Sequence, residues 1–165
     1  MVATSGHSGL ARKNHIMNTP KMVLVAEDNE VDALIFRRAF ANAAMSATVQ
    51  FVPDGVEAIA YLNGEGGYAD RKAHPLPHLM VLDIKMPRSN GFDVLEWLRK
   101  QPGLKRLPVT ILTSSDLPID INRAYDLGVN AYLVKPNDWA KMSHLLKRWE
   151  EFWLEVNYGP EKLTG

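Results

Sequence analysis

The chain has 165 residues, 46% of them hydrophobic and 23% charged, with 19 Lys and Arg balancing 19 Asp and Glu. That length supports one domain with a sizeable core, and the absence of cysteine excludes a disulfide scaffold, a thiol nucleophile and Cys-ligated zinc or iron–sulfur sites. Zero net charge gives no global field for nucleic acid or anionic lipid, and no apolar run approaches the ~18 residues of a membrane span. The N-terminus also lacks the apolar stretch and cleavage site of a signal peptide, so the expected setting is cytoplasmic, with neither nucleic acid nor membrane as partner.

Residues 1–20 are small, polar and without apolar period, and they read as a flexible extension. From Met22 short apolar runs alternate with helical patterns. Met22–Ala26 is a first strand, followed by Glu27-Asp28-Asn29 and a helix carrying Val31, Leu34, Ile35 and Ala39. Thr48–Val52 is a second strand, and Pro53-Asp54-Gly55 reads as a turn into a short helix that stops at Asn63-Gly64. Glu65–Pro77 is a long polar connection, read as a flexible loop at its Gly-rich start. His78–Leu82 is a third strand ending at Asp83, followed by a helix over Phe92–Lys100. Pro108–Leu112 is the fourth strand, Pro118–Leu127 a helix closed by Gly128, and Asn130–Val134 the fifth strand. The last helix is predicted over Asp138–Tyr158, leaving residues 159–165 as a tail of the domain spanning 21–158.

Alternating strands and helices with nearly continuous apolar strands predict a parallel sheet covered on both faces. Right-handed crossovers leave a five-stranded doubly wound α/β sheet as the most economical arrangement. In such a sheet ligands bind beyond the carboxyl ends of the strands. The residues delivered there are Glu27 and Asp28, Asp83, Thr113 and Ser114, and Lys135. Three clustered acids want a cation, and an all-oxygen ligand set suits Mg²⁺. A hydroxyl and an ammonium opposite the metal suit a phosphoryl group, and a carboxylate between metal and ammonium can attack phosphorus to give an aspartyl phosphate. Each residue also has a plain structural use. Asp28 or Asn29 could cap the first helix, with Asp32 completing a capping pattern. Asp83 could open a turn, and Lys135 could be a solvated loop residue. Their convergence on one rim favours the chemical reading.

In that order these residues resemble the receiver domain of two-component response regulators. The match is Glu27-Asp28, Asp83-Ile-Lys-Met-Pro87, Thr113-Ser114 and Tyr132-Leu-Val-Lys135-Pro136, spread over roughly Met22 to Trp149. The resemblance implies a flavodoxin-like (βα)5 sheet of order 2-1-3-4-5, here with an extended C-terminal helix. It implies Asp83 as phosphoacceptor, with Glu27, Asp28, Asp83 and the Lys85 backbone carbonyl around Mg²⁺. It also implies Thr113 and Lys135 as phosphoryl contacts, Thr113 and Tyr132 as the switch pair, and a histidine kinase as donor. The domain would be a signalling switch rather than an enzyme, with slow self-phosphorylation from a donor and slow self-dephosphorylation. Glu27 stands where Asp is common, Lys85 and Ser115 occupy variable places, and Asn137 replaces a usual bulky apolar residue.

The long connection before the third strand and the Trp149-Glu-Glu-Phe152-Trp153 tail are similar to a narrower group, the small stand-alone regulators encoded with bacterial and cyanobacterial phytochromes. This implies a light-sensing kinase as partner. Trp139, Met142, Leu146, Trp149, Trp153 and Val156 follow an a/d spacing along the last helix. A helix to Tyr158 would overhang the sheet, so Trp149, Phe152, Trp153 and Val156 are expected to form the seam of a homodimer.

One motif and two rival readings compete with this resemblance. Gly64-Glu-Gly66-Gly-Tyr-Ala69 matches a dinucleotide pattern but follows a helix, which is the wrong context. A haloacid-dehalogenase-like phosphatase would want an acid two residues after Asp83, where Lys85 stands. A pseudo-receiver, a pure interaction module, would not need the full set of reactive groups retained here.

Overall fold

The computed structural model describes residues 20–42, 47–161 and 163. The expected N-terminal extension lies outside the described residues apart from Pro20. Five strands, β1 (Lys21–Ala26), β2 (Ala47–Val52), β3 (Leu79–Leu82), β4 (Val109–Thr113) and β5 (Ala131–Val134), alternate with α1 (Glu30–Asn42), α2 (Gly55–Asn63), α3 (Gly91–Lys100), α4 (Pro118–Asp126) and α5 (Trp139–Glu150). The strands form one parallel sheet in the order β2-β1-β3-β4-β5, as expected.

Alternate strand residues feed two cores, because successive side chains leave a strand on opposite faces. Leu24, Met80, Leu82 and Ile111 meet Tyr61 of α2, Leu95 and Leu98 of α3 and Ala124 of α4. Val23, Val25, Val81 and Leu112 meet Phe36 of α1 and Met142, Leu146 and Trp149 of α5. Each such side chain contributes roughly 1.5–3 kcal/mol on burial, which fixes the register of the strands and the heights of their carboxyl ends. The helix starts are set by side chains that accept orphan N–H groups: Asp54 for α2, Asn90 for α3 and Asp138 for α5.

The last helix departs from expectation. After Glu150 the α-helix gives way to a π-helical segment, Glu151–Val156, and the backbone is extended from Asn157. The wider pitch breaks the a/d spacing. Trp149, placed by sequence in a dimer seam, is buried in its own core, where its Nε1 donates to Thr110 Oγ1 at 3.0 Å and its ring meets Phe40 edge-on. Trp153 also packs in part against that core, while Phe152 and Val156 remain 50% and 65% exposed. Lys21 Nζ donates to the carbonyls of Trp153 and Leu154 at 3.3 and 2.7 Å, holding the π-helical segment to the start of β1. Beyond it Leu163 is buried in the other core, so the tail returns to the body.

The connection after α2 is pinned rather than flexible. Arg71 donates to the carbonyls of Tyr61 and Leu62 at 2.7 and 2.6 Å, satisfying the open end of α2. Tyr61 and Tyr68 pack with His74, Tyr68 Oη donates to Glu57, and Tyr61 Oη donates to the Pro75 carbonyl. Polar composition concealed these anchors.

Candidate functional site

The carboxyl ends of β1, β3, β4 and β5 come together at one rim. Ladder bonds continue past the strands into it: Asp83 N–H donates to the Ala26 carbonyl at 3.1 Å and Lys135 N–H to the Thr113 carbonyl at 2.7 Å. These bonds fix the Asp83 backbone beside the end of β1 and that of Lys135 beside the end of β4. Strand β4 lies between β3 and β5, and the long Lys135 side chain crosses its end to reach Asp83.

Lys135 is the hub. Its Nζ donates to Glu27 Oε2 at 2.5 Å, Asp83 Oδ2 at 2.7 Å and Asp32 Oδ2 at 2.8 Å. Burial opposes its charge, but hydrogen bonds to Asp32, Asp83 and Glu27 outweigh that and push its pKa up, so it stays an ammonium. Burial pushes Glu27 up to about 7, with the bond and charge of Lys135 pulling the other way. The other Glu27 oxygen accepts from Asn29 N–H at 3.0 Å. Asp83 is buried, and its Oδ1 accepts from Lys85 N–H at 2.9 Å.

Three carboxylates therefore share one ammonium. Carboxylate oxygens of Glu27, Asp28 and Asp83 lie within 4.8 Å of one another. Hard oxygen donors at that spacing, with Asp28 exposed and the other two buried, fit a small divalent cation that keeps part of its water. At the end of β4 the Thr113 hydroxyl is buried with no hydrogen-bond partner among the described residues. Tyr132 packs against the core beneath the following loop, and its Oη donates to the Ser115 carbonyl at 3.0 Å.

Glu27, Asp28, Asp83, Thr113, Lys135 and Tyr132 thus occupy the rim anticipated for them. Two participants escaped the sequence reading. Asp32 looked like a helix-capping partner, yet only its N–H takes that part, donating to Asn29 Oδ1 at 3.1 Å while the carboxylate turns to Lys135. An acid one turn into the helix that leaves β1 was the available signal. Asp54 looked like a turn residue but is buried and ion-paired with Arg88. Arg88 lies in the loop after Asp83 with φ 65°, the left-handed region a non-glycine residue enters only when held there. The same loop is pressed tightly: a Cβ on Gly91 would stand 2.4 Å from the Asp83 carbonyl oxygen, and one on Gly55 2.4 Å from that of Ser89.

Comparison with known proteins agrees with this geometry. Residues 23–147 match the response regulator receiver domain family. The response regulator Rcp1 of Synechocystis is 33% identical over 139 residues, covering 84% of this chain and 92% of the relative. Among solved structures, the phosphorylated cyanobacterial phytochrome response regulator RcpA superposes with a TM-score of 0.81 at 38% identity, over 86% of this chain and 99% of that one. The response regulator RPA3017 in red light signalling of R. palustris superposes at 0.80 with 37% identity, over the same shares of the two chains. With its matching fold, rim and sequence, the chain belongs to the response regulator receiver domain family, the signalling switches of two-component systems.

Proposed function

We propose that Asp83 accepts a phosphoryl group in an Mg²⁺-dependent reaction, and that the modified domain signals through protein contacts. The observation that carries this reading is the position of the Asp83 carboxylate, shared between the Lys135 ammonium and the Glu27–Asp28–Asp83 cluster. Glu27, Asp28 and Asp83, with the Lys85 carbonyl, would hold Mg²⁺, which when bound offsets the charge of the acids and of the phosphoryl oxygens. An Asp83 oxygen attacks phosphorus as the P–N bond to the kinase histidine breaks, so the phosphoryl group passes from one to the other. Lys135, fixed as an ammonium, pairs with a phosphoryl oxygen. The Thr113 hydroxyl, without a partner among the described residues, is available to donate to another. Lys85 at the second position after Asp83 speaks against a phosphatase.

The donor is a histidine kinase, and the names of the similar proteins point to a light-sensing, phytochrome-type one. Among the described residues no helix is long and apolar enough to cross a membrane, in keeping with cytoplasmic signalling. Incubation with acetyl phosphate and Mg²⁺ followed by intact-mass measurement should show a gain of ~80 Da. Asp83→Asn should fold and show none. Equal labelling of that variant would refute the assignment.

The partner at the last helix is a second copy. A groove of about 810 Å³ between β5 and α5 is lined by Leu133, Leu145, Trp153 and the half-exposed Phe152, and the exposed Val156 follows on the same π-helical segment. One surface thus offers both a hollow and a projection, as a two-fold interface requires. Trp149 also lines this groove, but it is buried in the core and offers a partner little surface. Because Leu163 is buried, truncation would damage the core, and the clean test is Phe152→Glu with Val156→Glu. Sedimentation should give a dimer for the parent and a monomer for the variant; equal masses would end the idea.

A further inference from the structure

The mechanism assigns work to two of the three carboxylates on Lys135 and none to the third. An ammonium has three N–H donors, and Lys135 uses them on Glu27, Asp83 and Asp32. Glu27 and Asp83 belong to the cation-holding cluster; Asp32 does not. Were Glu27 and Asp83 to hold a cation and a phosphoryl group, their hold on Lys135 would slacken, while Asp32, outside that cluster, would keep its own. Asp32 is also fixed from behind: it stands in the first turn of α1, where the helix dipole favours an anion, and its N–H is bonded to the Asn29 side chain. Its side chain is 23% exposed, against 2% for Glu27 and 6% for Asp83, so it is the outermost of the three carboxylates on Lys135.

Resting on the assignment of Asp83 as phosphoacceptor, we propose that Asp32 is a positioning residue that competes with the phosphoryl group for Lys135 and so shortens the life of the aspartyl phosphate. The ammonium is divided between Asp32 and a phosphoryl oxygen, and a fixed negative charge stands beside a group that is itself anionic. The phosphorylated state is therefore held less firmly than one unshared lysine would hold it. Hydrolysis then proceeds by the ordinary balance: water oxygen bonds to phosphorus, the bond from phosphorus to the Asp83 oxygen breaks, and carboxylate, orthophosphate and a proton result.

The test compares the full chain with Asp32→Asn, which keeps the shape and loses the charge, and with Asp32→Glu, which restores it. At saturating Mg²⁺, two quantities are read: the half-life of the phosphate label after the donor is removed, and the dissociation constant for beryllofluoride, a non-reacting phosphoryl mimic. Asp32→Asn should lengthen the half-life and tighten beryllofluoride by roughly 3- to 10-fold, the scale of one charge-assisted hydrogen bond redistributed rather than lost. Asp32→Glu should reverse most of both changes. If Asp32→Asn alters thermal stability alone, or shortens the half-life, Asp32 is structural or supports the grip of Lys135, and the competition is refuted. If the parent chain takes neither label nor beryllofluoride, the phosphoacceptor assignment itself is what falls.

Discussion

The phenol of Tyr132 donates to the backbone carbonyl of Ser115 at 3.0 Å, tying β5 to the loop that leaves β4. From the other side the Ser115 hydroxyl donates to Asp120 in the first turn of α4 at 2.5 Å. The loop after Thr113 is thus held at both flanks by a single residue. Moving such a loop between two arrangements from 1:99 to 99:1 takes ~5.5 kcal/mol of differential binding. One charge-assisted hydrogen bond supplies only ~1.5–3 kcal/mol, so a switch built on Thr113 would need Lys135 and the repacking of Tyr132 to act with it. Tyr132→Phe removes the Ser115 bond and keeps the ring. It should cost ~1 kcal/mol in urea unfolding while leaving Asp83 able to take phosphate. Unchanged stability would mean that the bond does not hold the loop.

Thr113 presents the opposite case. Its hydroxyl is fully buried and has no partner among the described residues, a state that costs about 1–3 kcal/mol. Thr113→Val keeps the shape without the polar atom. The variant should be more stable at rest by about 1 kcal/mol, and it should gain less from beryllofluoride with Mg²⁺ than the parent does. Denaturation with and without the mimic checks both halves. A variant less stable at rest would show that the hydroxyl is already satisfied.

Gly91 limits how the Asp83 backbone can be supported. A Cβ there meets the Asp83 carbonyl oxygen at 2.4 Å and Ile84 Cα at 2.8 Å, and neither is the flexible end of a side chain. Gly91→Ala must push α3 away from the end of β3. A loss of about 2–3 kcal/mol in stability is expected, together with slower phosphorylation at Asp83. Parent-like values for both would show that the loop yields without cost.

The strand ends were legible because an α/β sheet delivers its functional residues immediately after its strands, and apolar runs mark those strands clearly. Glu27, Asp28, Asp83, Thr113 and Lys135 each follow or end such a run. Asp32 was not legible in the same way: a first-turn acid next to Asn29 satisfies a capping pattern equally well, and only the direction of its carboxylate separates the two uses. Nor was the end of α5. The a/d spacing from Trp139 to Val156 is real in the sequence, but it presumes an unbroken α-helical pitch, and the π-helical segment after Glu150 turns Trp153 toward its own core. The connection between α2 and β3 shows no apolar period, and its anchors are the charged Arg71 and the lone aromatic Tyr68, whose hydrogen bonds no spacing announces.

The Asp54–Arg88 pair makes a pH-dependent contribution whose sign can be worked out. Burial raises the Asp54 carboxyl, but hydrogen bonds from Glu57 N–H and from the Arg88 guanidinium outweigh it and hold the pKa below the usual carboxylate value. A pKa lowered in the folded state stabilises above the unfolded value of ~3.9, and that stabilisation is lost as pH falls through the folded value. Arg88→Ala removes the guanidinium and leaves the helix-capping bond. Its melting temperature should lie below that of the parent across neutral pH, with a constant gap down to about pH 5. The gap should then narrow on further acidification, because protonated Asp54 no longer distinguishes the two proteins. The loop after Asp83 should loosen in the same variant and slow phosphoryl uptake, since Arg88 holds that loop against the start of α2. Melting curves taken in metal-free buffer from pH 7 to pH 3 decide it: a gap independent of pH would show that Arg88 does not set the ionisation of Asp54.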